Sequence, residues 1–367
     1  MRLQWKRRIW PVLASLLVIA GAVGAYLAFP RLSVRYRCVD WPDHKLPGLE
    51  TGKEYLFVAM GACNTVIAID TRSHTVVAAT RLEGSFPHGI AVNLAGRELY
   101  VANERSDDVS VISLPDLISV VSILVGDFPT DVVPSMDGKR MFVANFKGGS
   151  VQVIDLIGRS VTREVTGPRA THFAVSPDGE RLYVTHWDQN RLSILDGRDG
   201  ALIKTFTLTG KPNHATVSRD NKRIYVTLYG DSALAVIDAA QLNVITSIPV
   251  GLHPMAPVVS PDDRWIYVSN IDGGTLSIID AKRLTVVGEI RTGGNPQHLV
   301  MDGAGRTLWV TNPSHEVVQV IDLIRRRVIR EIYTGPEPQQ MAPRYLTPMT
   351  TGNRLSGETQ PKPLSFR

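Results

Sequence analysis

The sequence predicts an all-β protein: a seven-bladed β-propeller of four-stranded blades, preceded by one N-terminal transmembrane helix. Three observations carry that prediction. A strand core of the type IYVSN recurs with its valine at Val58, Val101, Val143, Val184, Val226, Val268 and Val310, at intervals of 41 to 43 residues. Each full interval holds four short runs that alternate apolar and polar residues, separated by turns such as SPDG, and a period of this length and content marks a propeller blade. Upstream, Ile9 to Phe29 form 21 residues without a charge, enough to cross the roughly 30 Å hydrocarbon layer as a helix. The chain divides accordingly into an anchor (1–29), a linker (30–53), the propeller (54–347) and a disordered tail (348–367).

The anchor has Arg2, Lys6, Arg7 and Arg8 before it and Arg31, Arg35 and Arg37 after it, a bias that favours an N-terminus inside. The chain is then expected to be a single-pass inner-membrane protein with its propeller in a bacterial periplasm. Ala20-Gly21-Ala22 also fits a signal-peptidase site, and cleavage there would instead release the propeller into the periplasm. The linker, with Pro30, Pro42 and Pro47, holds the globular part off the membrane. Because seven basic residues flank the apolar run, the net charge of +5 gives no reason to expect nucleic acid as a partner. Only Cys38 and Cys63 carry thiols, and in an oxidising compartment they are expected to form a disulfide.

Within the ring a full copy reads as strand A (HGIAV, 88–92), strand B (LYVAN, 99–103), strand C (DVSVIS, 108–113) and strand D (SVVSILV, 119–125). An aromatic precedes every anchor valine: Phe57, Tyr100, Phe142, Tyr183, Tyr225, Tyr267 and Trp309. Seven in register predict packing between blades. Asp70, Ser113, Asp155, Asp196, Asp238, Asp280 and Asp322, twelve residues after each valine, predict caps on the C–D turns. The first copy lacks strand A, and Gln339 to Pro343 fall one period after the seventh, so the C-terminal segment is expected to close the ring.

The strand-B series LYVAN, MFVAN, LYVTH, IYVTL, IYVSN and LWVTN, with V-x-V-I-D after it, resembles the YVTN-repeat β-propeller family over residues 54–347. More distantly the chain is similar to the haem-binding propeller of the cytochrome cd-type nitrite reductases and their accessory proteins. Those rings usually have eight blades. The resemblance implies a fold that hosts scaffolds, lactonases and cofactor sites alike.

In such a ring the D–A and B–C loops surround one mouth of the central channel, and most histidines fall there. Twelve residues before each anchor, at the entry to the innermost strand, stand Gly89, Asp131, His172, His214, Ala256, His298 and, by the closure argument, Gln340. His172, His214 and His298 with Asp131, joined by His88 and His186, are the candidate cofactor-binding set, and the three histidines are a candidate metal site. Arg105 and Arg169, with Lys147 and Lys211, stand ready to pair with ligand carboxylates or phosphates. Phe146, Trp187 and Tyr229 offer stacking surface. The opposite face carries Arg97, Lys139, Arg181, Lys222 and their neighbours among acids, which reads as a solubility surface or a docking surface.

No GxSxG elbow, HExxH pair or P-loop is present. The leading expectation is a membrane-anchored propeller that binds a small ligand, a metal-containing cofactor or a periplasmic protein partner on its His-rich face without turning over a substrate. One alternative is a cofactor-handling protein for a haem-type tetrapyrrole, or a metal-dependent, lactonase-like enzyme using a divalent metal. Another is a purely structural interaction scaffold.

Overall fold

Alternation of β-branched and polar residues in six- or seven-residue runs leaves one solution for this chain, which is to stack small sheets face to face. The computed structural model describes residues 38, 49–50, 52–93, 97–167 and 169–345, so the predicted anchor, most of the linker and the tail lie outside the described residues. Among the described residues, no helix is long and apolar enough to cross a membrane.

Among the described residues, twenty-eight strands form seven four-stranded antiparallel sheets, numbered β1 to β28 in chain order. Blade 1 holds β1 (Glu54–Met60), β2 (Thr65–Asp70) and β3 (Thr75–Arg81). The innermost strands of blades 2 to 7 are β4 (Pro87–Val92), β8 (Pro129–Pro134), β12 (Phe173–Val175), β16 (Pro212–Val217), β20 (Pro254–Val259) and β24 (Leu299–Met301). The inner place in blade 1 is taken by the last strand, β28 (Pro338–Tyr345), which pairs antiparallel with β1 and sets Val58 opposite Met341. The C-terminal segment thus supplies the strand that the first copy lacks and covers the inner edge of β1.

The core lies between blades. All seven anchor-adjacent aromatics are at most 6% exposed. Each packs with the following blade: Tyr100 lies with Val132 and Met141 of blade 3, and Trp309 lies with Leu56, Val58 and Ile67 of blade 1. The C–D turns are capped as their register predicts. Asp280 accepts the amide protons of Lys282 and Arg283, and Asp322 those of Ile324 and Arg325. Ser113 is the exception, since its hydroxyl donates to the Ile118 carbonyl instead.

On the A–B turn face the structure gives three arginines a role in assembly. Arg140, Arg181 and Arg223 each open a strand B, and each guanidinium donates to a carbonyl in the C–D turn of the next blade, on Arg198, Ala239 and Ala281 respectively. These side chains join neighbouring blades, and the charge of this face is in part structural.

Candidate functional site at the channel mouth

Loop hydrogen bonds place the D–A and B–C loops side by side on one face. The amide of Glu104 donates to the Phe86 carbonyl, that of Phe146 to Phe128, and that of Gly61 to Glu337. Beneath these loops the inner strands bring four imidazoles into one cluster. His172 and His214 stack with ring centroids 3.5 Å apart at 23°. His298 stands edge-on to His214 at 4.9 Å, and His88 lies 5.7 Å from His298 and 5.9 Å from His172.

The local sequence explains these positions. In blades 4, 5 and 7 the residue after the anchor valine is Thr185, Thr227 or Thr311, and its hydroxyl accepts the backbone amide of His172, His214 or His298. The hydroxyls of Thr185 and Thr227 then donate to Asn213 and Met255 in the next blade, which locks the inner strands at a fixed spacing. Blade 2 differs because Gly89 sits where the others carry a side chain. A Cβ there would lie 2.6 Å from the Asp131 Cα, so blades 2 and 3 meet backbone to backbone. The imidazole of this blade comes from the preceding residue, His88, whose Nδ1 donates to the Thr130 carbonyl at 2.8 Å.

Two carboxyls and an amide complete the cluster. Asp131 accepts the amides of Val132 and Phe173, both at 2.9 Å, and its Oδ2 lies 3.6 Å from His172 Nδ1. Burial pushes Asp131 up to about 6 against the pull of those two amides, so it is largely ionised at neutral pH. Gln340 Nε2 lies 3.2 Å from His172 Nδ1. Glu104, 4% exposed, brings Oε1 to 3.8 Å from His88 Nδ1. Burial pushes Glu104 up to about 8 despite Arg105 and Lys147, so it holds its proton at neutral pH. Burial also holds His172, His214 and His298 well below the ordinary histidine value, with the other imidazoles adding to the effect, so all three are neutral. The result is a buried group of neutral imidazoles between one ionised and one protonated carboxyl. It can accept and donate hydrogen bonds without charging itself.

Three ring nitrogens in this group, His214 Nδ1, His214 Nε2 and His298 Nε2, are buried and have no protein partner among the described residues. They do not surround a point. Stacked and edge-on rings set their nitrogens apart, and among the described residues no group of three or more His, Cys, Asp or Glu has the arrangement that holds a metal ion. A chelated divalent ion therefore does not fit the trio His172, His214 and His298 in this arrangement. A haem-type macrocycle has no room between rings whose centroids are 3.5 to 6.2 Å apart.

Other residues singled out from the sequence stand apart from the cluster. His186 lines an inter-blade cavity of about 190 Å³ together with Ser150, Val184 and Arg191. Its Nε2 bonds to Ser193 Oγ at 2.8 Å, the place that Asn103 and Asn270 fill in blades 2 and 6 by bonding to Ser110 and Ser277. Arg105 and Arg169 sit on the rim, Arg105 over the Phe86 ring at 4.1 Å and Arg169 over Phe146 at 5.3 Å, with Arg169 also paired to Asp188. Trp187 and Tyr229 lie 4.7 Å apart, and Tyr229 stacks flat on His253 at 4.3 Å.

Glu104 was not among the residues that the sequence reading selected, yet the repeat carried a signal for it. Three residues after the anchor, the other copies have Gly61, Phe146, Trp187, Tyr229, Ile271 and Pro313, and Glu104 alone is charged.

A model of the YNCE-like beta-propeller family matches residues 53–259, more than half of the chain. The chain belongs to this family. Its fold recurs in solved structures. Hydrazine synthase of Kuenenia stuttgartiensis superposes with a TM-score of 0.69 at 20% identity, over 80% of this chain and 99% of that one. The dihydro-heme d1 dehydrogenase NirN, solved in complex with DHE, gives 0.64 at 19% identity over 80% of this chain and 66% of its own. A putative 6-phosphogluconolactonase from Bacteroides fragilis gives 0.68 at 17% identity over 81% and 99%. At these identities the likeness concerns the fold alone. No curated protein is similar enough in sequence to count as a relative.

Proposed function

We propose that this member of the YNCE-like family is a membrane-anchored periplasmic propeller that binds a small ligand at its imidazole-lined channel mouth. The observation that carries this reading is the set of buried, unpartnered nitrogens on His214 and His298. A buried polar atom without a partner costs on the order of 1–3 kcal/mol. A fold that needed only to fill its channel could place apolar residues there, as blade 6 does with Ala256 at the equivalent position. A ligand offering hydrogen-bond donors and acceptors would satisfy these nitrogens, with protonated Glu104 and ionised Asp131 supplying one donor and one acceptor beside them.

A second reading, a flat haem-type tetrapyrrole lying across the rim, is favoured by the paired rings of Trp187 and Tyr229 and by the cations around them. In that reading the chain's own residues stack the macrocycle and pair with its carboxylates, and the bound group supplies the redox or ligand chemistry.

The first reading is tested by native mass spectrometry of the full chain released from its own membranes in mild detergent. A bound mass on the parent chain should be absent from the His172→Ala/His214→Ala/His298→Ala variant, and a bare parent chain would contradict it. The second is tested by the visible spectrum and melting temperature of the full chain with and without haem. A coloured, stabilised complex should be lost in the Trp187→Ala/Tyr229→Ala variant, and a colourless chain whose melting temperature ignores haem would contradict it.

A further inference from the structure

Cys38 and Cys63 are joined, with Cα atoms 5.5 Å apart. Cys63 closes the short 3-10 turn Gly61–Cys63 between β1 and β2, which is the B–C loop of blade 1. The bridge therefore pins Cys38 to the channel-mouth face, although Leu49, whose amide donates to the Pro115 carbonyl in the C–D turn of blade 2, and the start of β1 lie at the opposite face. Eight residues separate Phe29, the end of the apolar run, from Cys38. Fully extended, they reach about 30 Å. A ring pinned on this face by so short a tether cannot turn its other face to the bilayer without stretching that tether around its own edge.

The same face carries a built surface. In four successive blades a cation lies over an aromatic ring: Arg105 over Phe86 at 4.1 Å, Lys147 over Phe128 at 4.0 Å, Arg169 over Phe146 at 5.3 Å and Lys211 over Trp187 at 5.8 Å. The cations are exposed, and the rings below them are buried or half-buried. Exposed basic groups held in place by the aromatic rings beneath them suit the headgroup zone of a bilayer, where phosphates meet the cations. On the opposite face Arg140, Arg181 and Arg223 already serve carbonyls of neighbouring blades. In the crescent Arg169 is paired with Asp188, which leaves Arg105, Lys147 and Lys211 as its cations without an ion pair among the described residues.

We propose that the propeller rides face down, with this crescent of Arg105, Lys147, Arg169 and Lys211 resting on anionic phospholipid headgroups and the imidazole cluster opening toward the membrane surface. The tether in this proposal rests on the anchor reading given above. It follows that the ligand of the cluster reaches it from the membrane side, either from the bilayer or from a neighbouring membrane protein.

Acylation footprinting of the full chain in lipid nanodiscs tests this. Lys147 and Lys211 report the crescent, and Lys139 and Lys222 report the opposite turns, where all four amines are exposed. In nanodiscs with roughly 30% phosphatidylglycerol, Lys147 and Lys211 should react several-fold more slowly than in detergent, with Lys139 and Lys222 unchanged, and about 0.5 M salt should relieve the protection. Protection that persists in pure phosphatidylcholine at high salt would overturn headgroup recognition. Equal reactivity of the two faces in incorporated protein would overturn the orientation and leave the crescent to a protein partner. Failure of the chain to co-elute with nanodiscs would overturn the anchor, and with it the tether.

Discussion

Gln340 Nε2 lies 3.2 Å from Nδ1 of His172, although the two residues are 168 positions apart. The strand that closes the ring in blade 1 thus also places a side chain on the imidazole cluster from across the channel. Closure and site assembly are one event. A chain ending at Glu337 loses β28 and leaves β1 with an open edge, so its melting temperature should fall by more than about 10 °C and its ligand response should vanish. An unchanged melting curve would show that β28 is dispensable.

The imidazoles predict an acid limit. Burial lowers the folded-state values of His172, His214 and His298 below the ordinary value of 6.5, so as pH falls the unfolded chain takes up protons first. Their contribution is fully present above that value and is lost below it. His214→Leu removes two unpartnered buried nitrogens and one such group. Its melting temperature should match or exceed the parent's at pH near 7 and should fall less steeply toward pH near 5. A parallel pair of pH profiles would contradict the assignment.

Glu104 predicts the opposite slope. Its folded value, about 8 against an ordinary 4.5, means that the folded state keeps a proton which the unfolded state releases. Stability is therefore lost as pH rises from the ordinary glutamate range through about 8. Glu104→Gln keeps the shape without the charge, and it should stabilise the protein at pH near 8.5 by roughly 2–6 °C while leaving it unchanged near pH 5. Equal melting temperatures at both values would mean that Glu104 is solvated.

The blade-to-blade arginines predict a local, testable cost. Arg181→Ala removes the bond to the Ala239 carbonyl and should lower stability by about 1–2 kcal/mol, or roughly 2–6 °C. Arg97→Ala, in an equivalent turn of blade 2, is the comparison and should shift the melting temperature by less than about 1 °C.

The pairing of Cys38 with Cys63 predicts that neither thiol reacts with an alkylating reagent until a reductant is added. Single alkylation of the native chain would show the bridge absent.

The fold was legible because repetition turns one ambiguous strand pattern into seven aligned ones. The register identified Tyr100 and Trp309 as inter-blade packing, Asp280 as a turn cap and Gln340 as the missing partner of the inner ring. The candidate site was legible to the extent that it follows the inner-strand register: His172, His214, His298 and Asp131 meet, and His88 joins them because Gly89 must stay small. Ring orientation was not legible, since stacking of His172 on His214 is set by packing between blades and not by spacing along the chain. His186 lay beyond the reading for the same reason: its partner Ser193 is on the adjacent strand, so the side chain faces the inter-blade cavity instead of the channel. The role of Arg181 was hidden because its carbonyl lies 58 residues onward in the next blade.

On the proposed function, the imidazole cluster holds a ligand. Native mass spectrometry of the full chain, released from its own membranes in mild detergent, measures this directly. The account predicts a bound mass on the parent chain that is absent from the His172→Ala/His214→Ala/His298→Ala variant prepared in the same way. The same bare mass for both would contradict it.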